Sequence, residues 1–201
     1  MLKIDYVSST VDYYDVNADK FIDATLLVDM SKHYKLFLAN VSESGMILDA
    51  GCGPGRDAKF FLESGYDVIA FDASQEMASY ASQYTGSSVV HADFASFDYG
   101  VSRFNGIWAS ASLLHLSRED LSVVLREMTN ALKPNGAFYL SFKFGEHEFE
   151  KDGRLFTNQT IASLKALMYE VHSWTSDEVY TSYDLRPGRA SEEWVNGVFV
   201  K

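Results

Sequence analysis

Apolar residues near the start of the chain recur at helical spacing. Tyr14, Ala18, Phe21 and Thr25 share one stripe, and Leu27, Met30, Tyr34, Phe37 and Val41 continue it. From position 45 the pattern changes to short apolar runs that alternate with amphipathic stretches. Met46-Ile47-Leu48 runs into glycines and predicts a buried strand. Ala58, Phe61 and Leu62 predict a helix that ends at Gly65. Tyr66–Phe71 predicts a second strand, and Ser74 is placed to cap a helix that carries Met77, Tyr80, Ala81 and Tyr84 on one face. Ser87–His91 and Gly106–Ala109 predict the third and fourth strands. Ser117-Arg118-Glu119-Asp120 is a capping box before a helix with Leu121, Val124, Leu125, Met128 and Leu132 inward. Lys133–Gly136 reads as the turn that ends that helix, and Ala137–Phe142 as the fifth strand. A helix around Ile161, Leu164 and Met168 follows, then strands near Val171–Trp174 and Val195–Val200.

Continuous apolar strands alternating with helices predict an α/β fold, a doubly wound and mostly parallel sheet covered on both faces. Ligands of such sheets bind beyond the carboxyl ends of the strands, where the strand order reverses. Three consecutive strand ends carry suggestive residues. The first is followed by Asp49-Ala50-Gly51-Cys52-Gly53-Pro54-Gly55-Arg56-Asp57, where glycines let backbone approach a ligand and the next helix offers free N–H groups. The second ends at Phe71-Asp72, where an acid can accept from both hydroxyls of a ribose. The third runs into His91-Ala92-Asp93-Phe94, an acid for an exocyclic amine beside a ring that can pack on a base. Arg56 stands where a dinucleotide fingerprint needs glycine, which disfavours a nicotinamide oxidoreductase.

Ile47-Leu48-Asp49-Ala50-Gly51-Cys52-Gly53-Pro54-Gly55 resembles motif I of the class I S-adenosylmethionine-dependent methyltransferases. Phe104-Asn105-Gly106-Ile107-Trp108-Ala109-Ser110 resembles their fourth-strand motif, and Leu132-Lys133-Pro134-Asn135-Gly136-Ala137 their entry to the fifth strand. Gly55-Arg56-Asp57 is similar to small-molecule members, including the tellurite-resistance methyltransferases. The resemblance implies a seven-stranded Rossmann-like sheet with its last strand antiparallel, and S-adenosylmethionine over strands one to three. It implies that Gly51, Gly53 and Gly55 approach the methionyl end and that Asp49 helps hold the methionyl amine. Asp72 would take the ribose, Asp93 and Phe94 the adenine, and Ser110 would lie beside the methionyl group. Cys52, Arg56, Ala73 and Met77 would complete the cofactor wall, with Cys52 as a small filler.

Composition narrows the acceptor. The 201 residues suit one domain, with a helical lid over 1–44 and a core over 45–201. No apolar stretch approaches a membrane span, and Met1–Asp5 lacks the blocks of a signal peptide, so the expected location is cytoplasmic. Cys52 is the single cysteine, which excludes an intramolecular disulfide. A net charge of −11 disfavours nucleic acid, and the expected partner is a small molecule bound by a monomer or homodimer. Residues 109–117 hold no carboxylate, so no metal is expected; nor do they hold the Pro-Pro motif of amino methylation or a nucleophilic cysteine. His115 is the candidate general base. Tyr13 and Tyr14, read as preceding the first helix, are candidate lid residues over the cofactor and candidate acceptor contacts, with Lys143, Arg186, Arg189 and Trp194 as further acceptor contacts. Two alternatives stay open: a non-catalytic S-adenosylmethionine-binding regulator, and a methyltransferase acting on a protein or RNA.

Overall fold

The computed structural model describes residues 5–201; Met1–Ile4, read above for a signal peptide, lie outside the described residues. Three helices open the chain: α1 (Asp5–Val16), α2 (Ala18–Thr25) and α3 (Ser31–Leu38). The alternating part follows as β1 (Met46–Ala50), α4 (Arg56–Glu63), β2 (Asp67–Asp72), α5 (Gln75–Thr85), β3 (Val89–His91), β4 (Phe104–Ala109), α6 (Arg118–Ala131) and β5 (Leu132–Lys143). Then come β6 (Glu148–Lys151), β7 (Arg154–Thr157), α7 (Ile161–Val171), β8 (Ser176–Tyr183) and β9 (Glu193–Val200). Among the described residues no helix is long and apolar enough to cross a membrane.

Seven strands form one sheet in the order β3-β2-β1-β4-β5-β9-β8, and β6 pairs with β7 in a separate hairpin. β1 to β5 are parallel, while β9 runs antiparallel to both of its neighbours. The order reverses between β1 and β4, which opens a crevice at their carboxyl ends. Neighbouring residues on each central strand point into opposite cores. Leu48, Ile107 and Phe138 pack under α6 and α7, whereas Ile47, Trp108 and Tyr139 pack with Phe37 and Phe61 from α3 and α4.

Ser74 and Ser117 each cap their helix, the second as a simple cap and not the expected capping box, since Asp120 Oδ2 accepts from Ser117 Oγ. Ser74 Oγ accepts from Met77 N, and Ser117 Oγ from Asp120 N. Four further sequence expectations need correction. Tyr13 and Tyr14 do not precede the first helix; they lie within α1. Lys133–Gly136 is not a free turn, because α6 passes directly into β5, where Asn135 at φ 62° and a register shift opposite Phe104 and Gly106 absorb the irregularity. Residues 171–174 are not a strand: α7 ends at Val171 and β8 begins at Ser176. The β6–β7 hairpin was not anticipated, although Asp152 and Gly153, both at positive φ, form the Asp-Gly turn that favours one.

Gly51, at φ +72°, is the tightest point of the first strand end. A Cβ there would stand 2.6 Å from Ser112 Cβ. Gly188, at φ +78°, meets nothing within 4 Å. Gly188→Ala should therefore cost only the left-handed strain, about 1–2 kcal/mol. Gly51→Ala should cost clearly more, because the neighbouring backbone must also move. Urea unfolding of the two variants checks this, and equal losses would contradict the tight approach.

Candidate functional site

The crevice is a cleft of about 470 Å³ roofed by α1 and α2. Its floor begins with the glycine turn. Gly51 N and Cys52 N both donate to Phe71 O, which fixes the turn to the end of β2. Gly53, at φ +53°, turns its missing Cβ toward Phe21 of the roof, whose Cε1 would lie 3.5 Å away. Cys52 is 8% exposed, and burial pushes its thiol pKa well up, which disfavours a thiolate there.

Asp72 is held on both oxygens: Oδ2 accepts from Gly53 N at 2.7 Å and Oδ1 from Ser74 N at 2.9 Å. Burial raises its pKa, and each oxygen keeps a further lone pair for a ligand. Asp93 uses Oδ1 for Ala95 N and Ser96 N, while Phe94 stands edge-on to Phe71 at 5.3 Å. Ala73, Met77, Asp93, Phe94 and Ser110 all line the cleft, as do Gly51, Cys52, Gly53 and Asp72. Asp49 and Gly55 lie behind that wall. The Asp49 carboxylate is buried beneath the start of α4, and its Oδ2 has no hydrogen-bond partner. Burial, then the nearby Asp57, raises its pKa, so an added cation or donor would be welcome there.

Arg56 lines the cleft, yet its guanidinium turns to the protein. It grips Asp57 at 2.6 and 2.9 Å and donates to Thr25 O. Asp57 also accepts from Tyr34 Oη at 2.5 Å and from Trp108 Nε1 at 2.8 Å. Burial opposes its charge, but these donors, Arg56 foremost, hold its pKa below the ordinary value. Sequence reasoning missed this cluster, since Tyr34 and Trp108 lie 23 and 51 positions away. It also missed Asp15 of α1, whose carboxylate receives Ser74 Oγ and Glu76 N and ties the roof to α5.

At the other end of the cleft stands His115. Its Nδ1 lies 2.7 Å from Leu155 O and its Nε2 2.9 Å from Tyr14 Oη. A carbonyl only accepts, so Nδ1 carries the proton and Nε2 accepts from the phenol. Burial pushes the imidazole pKa down to about 4. The ring is therefore neutral, with its lone pair engaged by the roof. Tyr13 and Tyr14 line the cleft from α1.

Lys143, Arg186, Arg189 and Trp194 also reach the cleft wall. Arg186 binds Asp184 through Nε at 2.9 Å and Nη2 at 2.5 Å, and Trp194 Nε1 donates to the same carboxylate at 3.3 Å. Arg189 and Lys143 converge on Glu192 at 2.9 and 2.6 Å. Among the described residues no three His, Cys, Asp or Glu side chains cluster as metal ligands.

Residues 47–136 match a family described as "Methyltransferase domain". Malonyl-[acyl-carrier protein] O-methyltransferase of Pseudescherichia vulneris is 31% identical over 105 residues, which is 51% of this chain and 41% of that protein. The chain thus spans about two fifths of that relative's length. An uncharacterized methyltransferase of Schizosaccharomyces pombe is 30% identical over 43% of this chain and 74% of its own. In fold, the chain is similar to Burkholderia thailandensis 1,6-didemethyltoxoflavin-N1-methyltransferase, solved with 1,6-didemethyltoxoflavin and S-adenosylhomocysteine. The TM-score is 0.80 at 22% identity, covering 100% of this chain and 92% of that one.

The neutral His115 predicts a pH signature. Above its ordinary value of 6.5 both folded and unfolded chains leave it uncharged. As the pH falls from 6.5 toward 4 the unfolded chain takes the proton first, so stability drops, by roughly 2–3 kcal/mol at pH 4. His115→Gln should lose less stability over that window than the wild type. Denaturant melts at a series of pH values check it, and parallel curves would contradict a depressed pKa.

Proposed function

The chain belongs to the methyltransferase family, and from that premise we propose that its cleft binds S-adenosylmethionine and passes the methyl group to a small, polar or anionic acceptor. One observation carries the reading. Three successive strand ends present the glycine turn, the braced carboxylate of Asp72 and the Asp93–Phe94 pair on one wall, and α1 and α2 roof it. The wall suits the cofactor in its parts. Asp72 keeps acceptor capacity for two hydroxyls, Asp93 and Phe94 offer an acceptor and a ring face for adenine, and the unpartnered Oδ2 of Asp49 favours a cation close by.

When bound, the sulfonium supplies an already activated methyl group, so the protein's task is alignment and exclusion of water. Gly51 and Gly53 allow close approach of the backbone. Asp15 and Phe21 hold the roof down against α5 and the glycine turn. Ser110 stands at the end of β4, and Ser112 Oγ braces the turn by donating to Ala50 O at 2.7 Å. His115, neutral and already hydrogen-bonded, can take an acceptor proton only if Tyr14 yields its place or relays it. Lys143, Arg186 and Arg189, each paired with a carboxylate, supply polar edges to the acceptor side and little net positive charge.

Asp72→Asn should weaken S-adenosylhomocysteine binding by about tenfold or more, since a charge-assisted hydrogen bond contributes roughly 1.5–3 kcal/mol. Calorimetry on the folded variant reads this directly, and unchanged affinity would remove Asp72 from the ribose site. A methyl-transfer assay across small polar and anionic metabolites tests the activity itself. Tight cofactor binding with no turnover on any small acceptor would favour a regulator.

A further inference from the structure

Most cations on the cleft wall are matched by carboxylates of the chain itself. Arg56 has Asp57, Arg186 has Asp184, and Arg189 and Lys143 share Glu192. Arg154 is held differently. It opens β7, and its side chain is only 13% exposed. Among the described residues its one ion-pair partner is Asp152, 3.4 Å from Nη2, whose own side chain is 57% exposed to water. Its Nε is buried and has no hydrogen-bond partner. The guanidinium lies over the Tyr13 ring, 3.6 Å from the centroid, with Phe156 at 5.2 Å and Tyr14 at 5.8 Å.

The direction of the hydrogen bonds around it is fixed. Leu155 O accepts from His115 Nδ1 and His115 Nε2 accepts from Tyr14 Oη, and the Arg154 guanidinium stands 5.8 Å from the centroid of that Tyr14 ring. Arg154 thus stands beside the roof end of this polar chain, with its buried Nε left without a hydrogen-bond partner. A guanidinium has five N–H donors in a planar fork that matches a carboxylate. Ring contacts cover the guanidinium but leave that requirement unmet. The surrounding wall is aromatic: Tyr14 meets His115 at 5.6 Å, and His115 meets Phe156 at 4.9 Å.

We infer that Arg154 is the residue that recognises the acceptor, and that the acceptor is a small aromatic carboxylate. Its ring lies against the wall of Tyr14, His115 and Phe156, and its carboxylate takes the open edge of the guanidinium. This assignment rests on the cleft being a methyltransferase site, and it places anion recognition on the β6–β7 hairpin. Asp152 competes for the same cation from the solvent side.

The test is calorimetry on the intact chain with benzoate, 4-hydroxybenzoate and indole-3-carboxylate, each against its carboxamide, with and without S-adenosylhomocysteine. At least one carboxylate should bind about tenfold or more tightly than its amide, the gain expected of a charged fork over a neutral contact. Arg154→Gln should erase that preference while leaving S-adenosylhomocysteine affinity unchanged. Asp152→Asn, on an exposed turn, should tighten carboxylate binding, which a purely structural Arg154 does not predict. No carboxylate preference in the wild type, or a preference that survives Arg154→Gln, overturns the assignment. Should Arg154→Gln fail to fold, an unchanged carboxylate affinity in Asp152→Asn overturns it. Loss of S-adenosylhomocysteine binding in the wild type, with the carboxylate preference intact, defeats the cofactor reading and leaves the anion site standing.

Discussion

The buried carboxylate of Asp57 holds the roof of the cleft to its floor. Arg56 and Asp57 begin α4, Tyr34 comes from α3, Trp108 from β4, and Arg56 extends to Thr25 O at the end of α2. Four elements therefore meet around one largely buried charge. Such a charge is tolerated only when donors surround it, and removing one partner of a buried pair typically costs about 3–5 kcal/mol. The cluster also sets the charge balance next door. With Asp57 ionised and compensated, Asp49 beneath the same turn is left with raised pKa and one unpartnered oxygen. The glycine turn is thus braced from below by the neutralised pair and biased, at Asp49, toward a positively charged guest.

The cleft follows from this arrangement. Its floor is backbone and carboxylate from three parallel strands, and its roof is aromatic and apolar from α1 and α2. Asp15 reaches across to the start of α5, so the roof bonds to the element that follows the ribose-type acid. Tyr14 reaches the opposite end and bonds to a histidine that burial keeps neutral. Asp72 and Asp93 thus face the cleft from the strand ends, while Arg56, Arg186, Arg189 and Lys143 on its wall are matched by carboxylates of the chain. Among the wall cations that are not exposed, Arg154 stands out because its carboxylate partner among the described residues, Asp152, is 3.4 Å away and solvated.

Much of this was legible in the sequence because it is local. The strand-turn-helix at Leu48–Asp57, the acids at 72 and 93, and the caps at Ser74 and Ser117 are written in consecutive residues. Parallel pairing followed from continuous apolar strands, and the antiparallel last strand from the family resemblance. What stayed hidden depends on partners far apart or on exposed elements. Glu148–Lys151 is exposed throughout, so β6 carries no hydrophobic alternation, and only the Asp152-Gly153 turn marks its hairpin. β8, Ser-Asp-Glu-Val-Tyr-Thr-Ser-Tyr, is a polar edge strand with the same weakness, which is why the apolar residues just before it attracted the assignment. Arg56 sits in the motif as if facing a ligand, yet its direction is decided by Asp57 and by a carbonyl on the roof. Composition reported the two arginines at 186 and 189, but only the fold shows that Asp184 and Glu192 answer them.

The central claim is that three strand ends and a helical roof make one site for an adenosyl sulfonium compound. Calorimetric titration of the intact chain with S-adenosylmethionine, and separately with NADH, meets that claim most directly. The account predicts saturable one-site binding of S-adenosylmethionine and no heat of binding with NADH. Saturable NADH binding with no response to S-adenosylmethionine would contradict it.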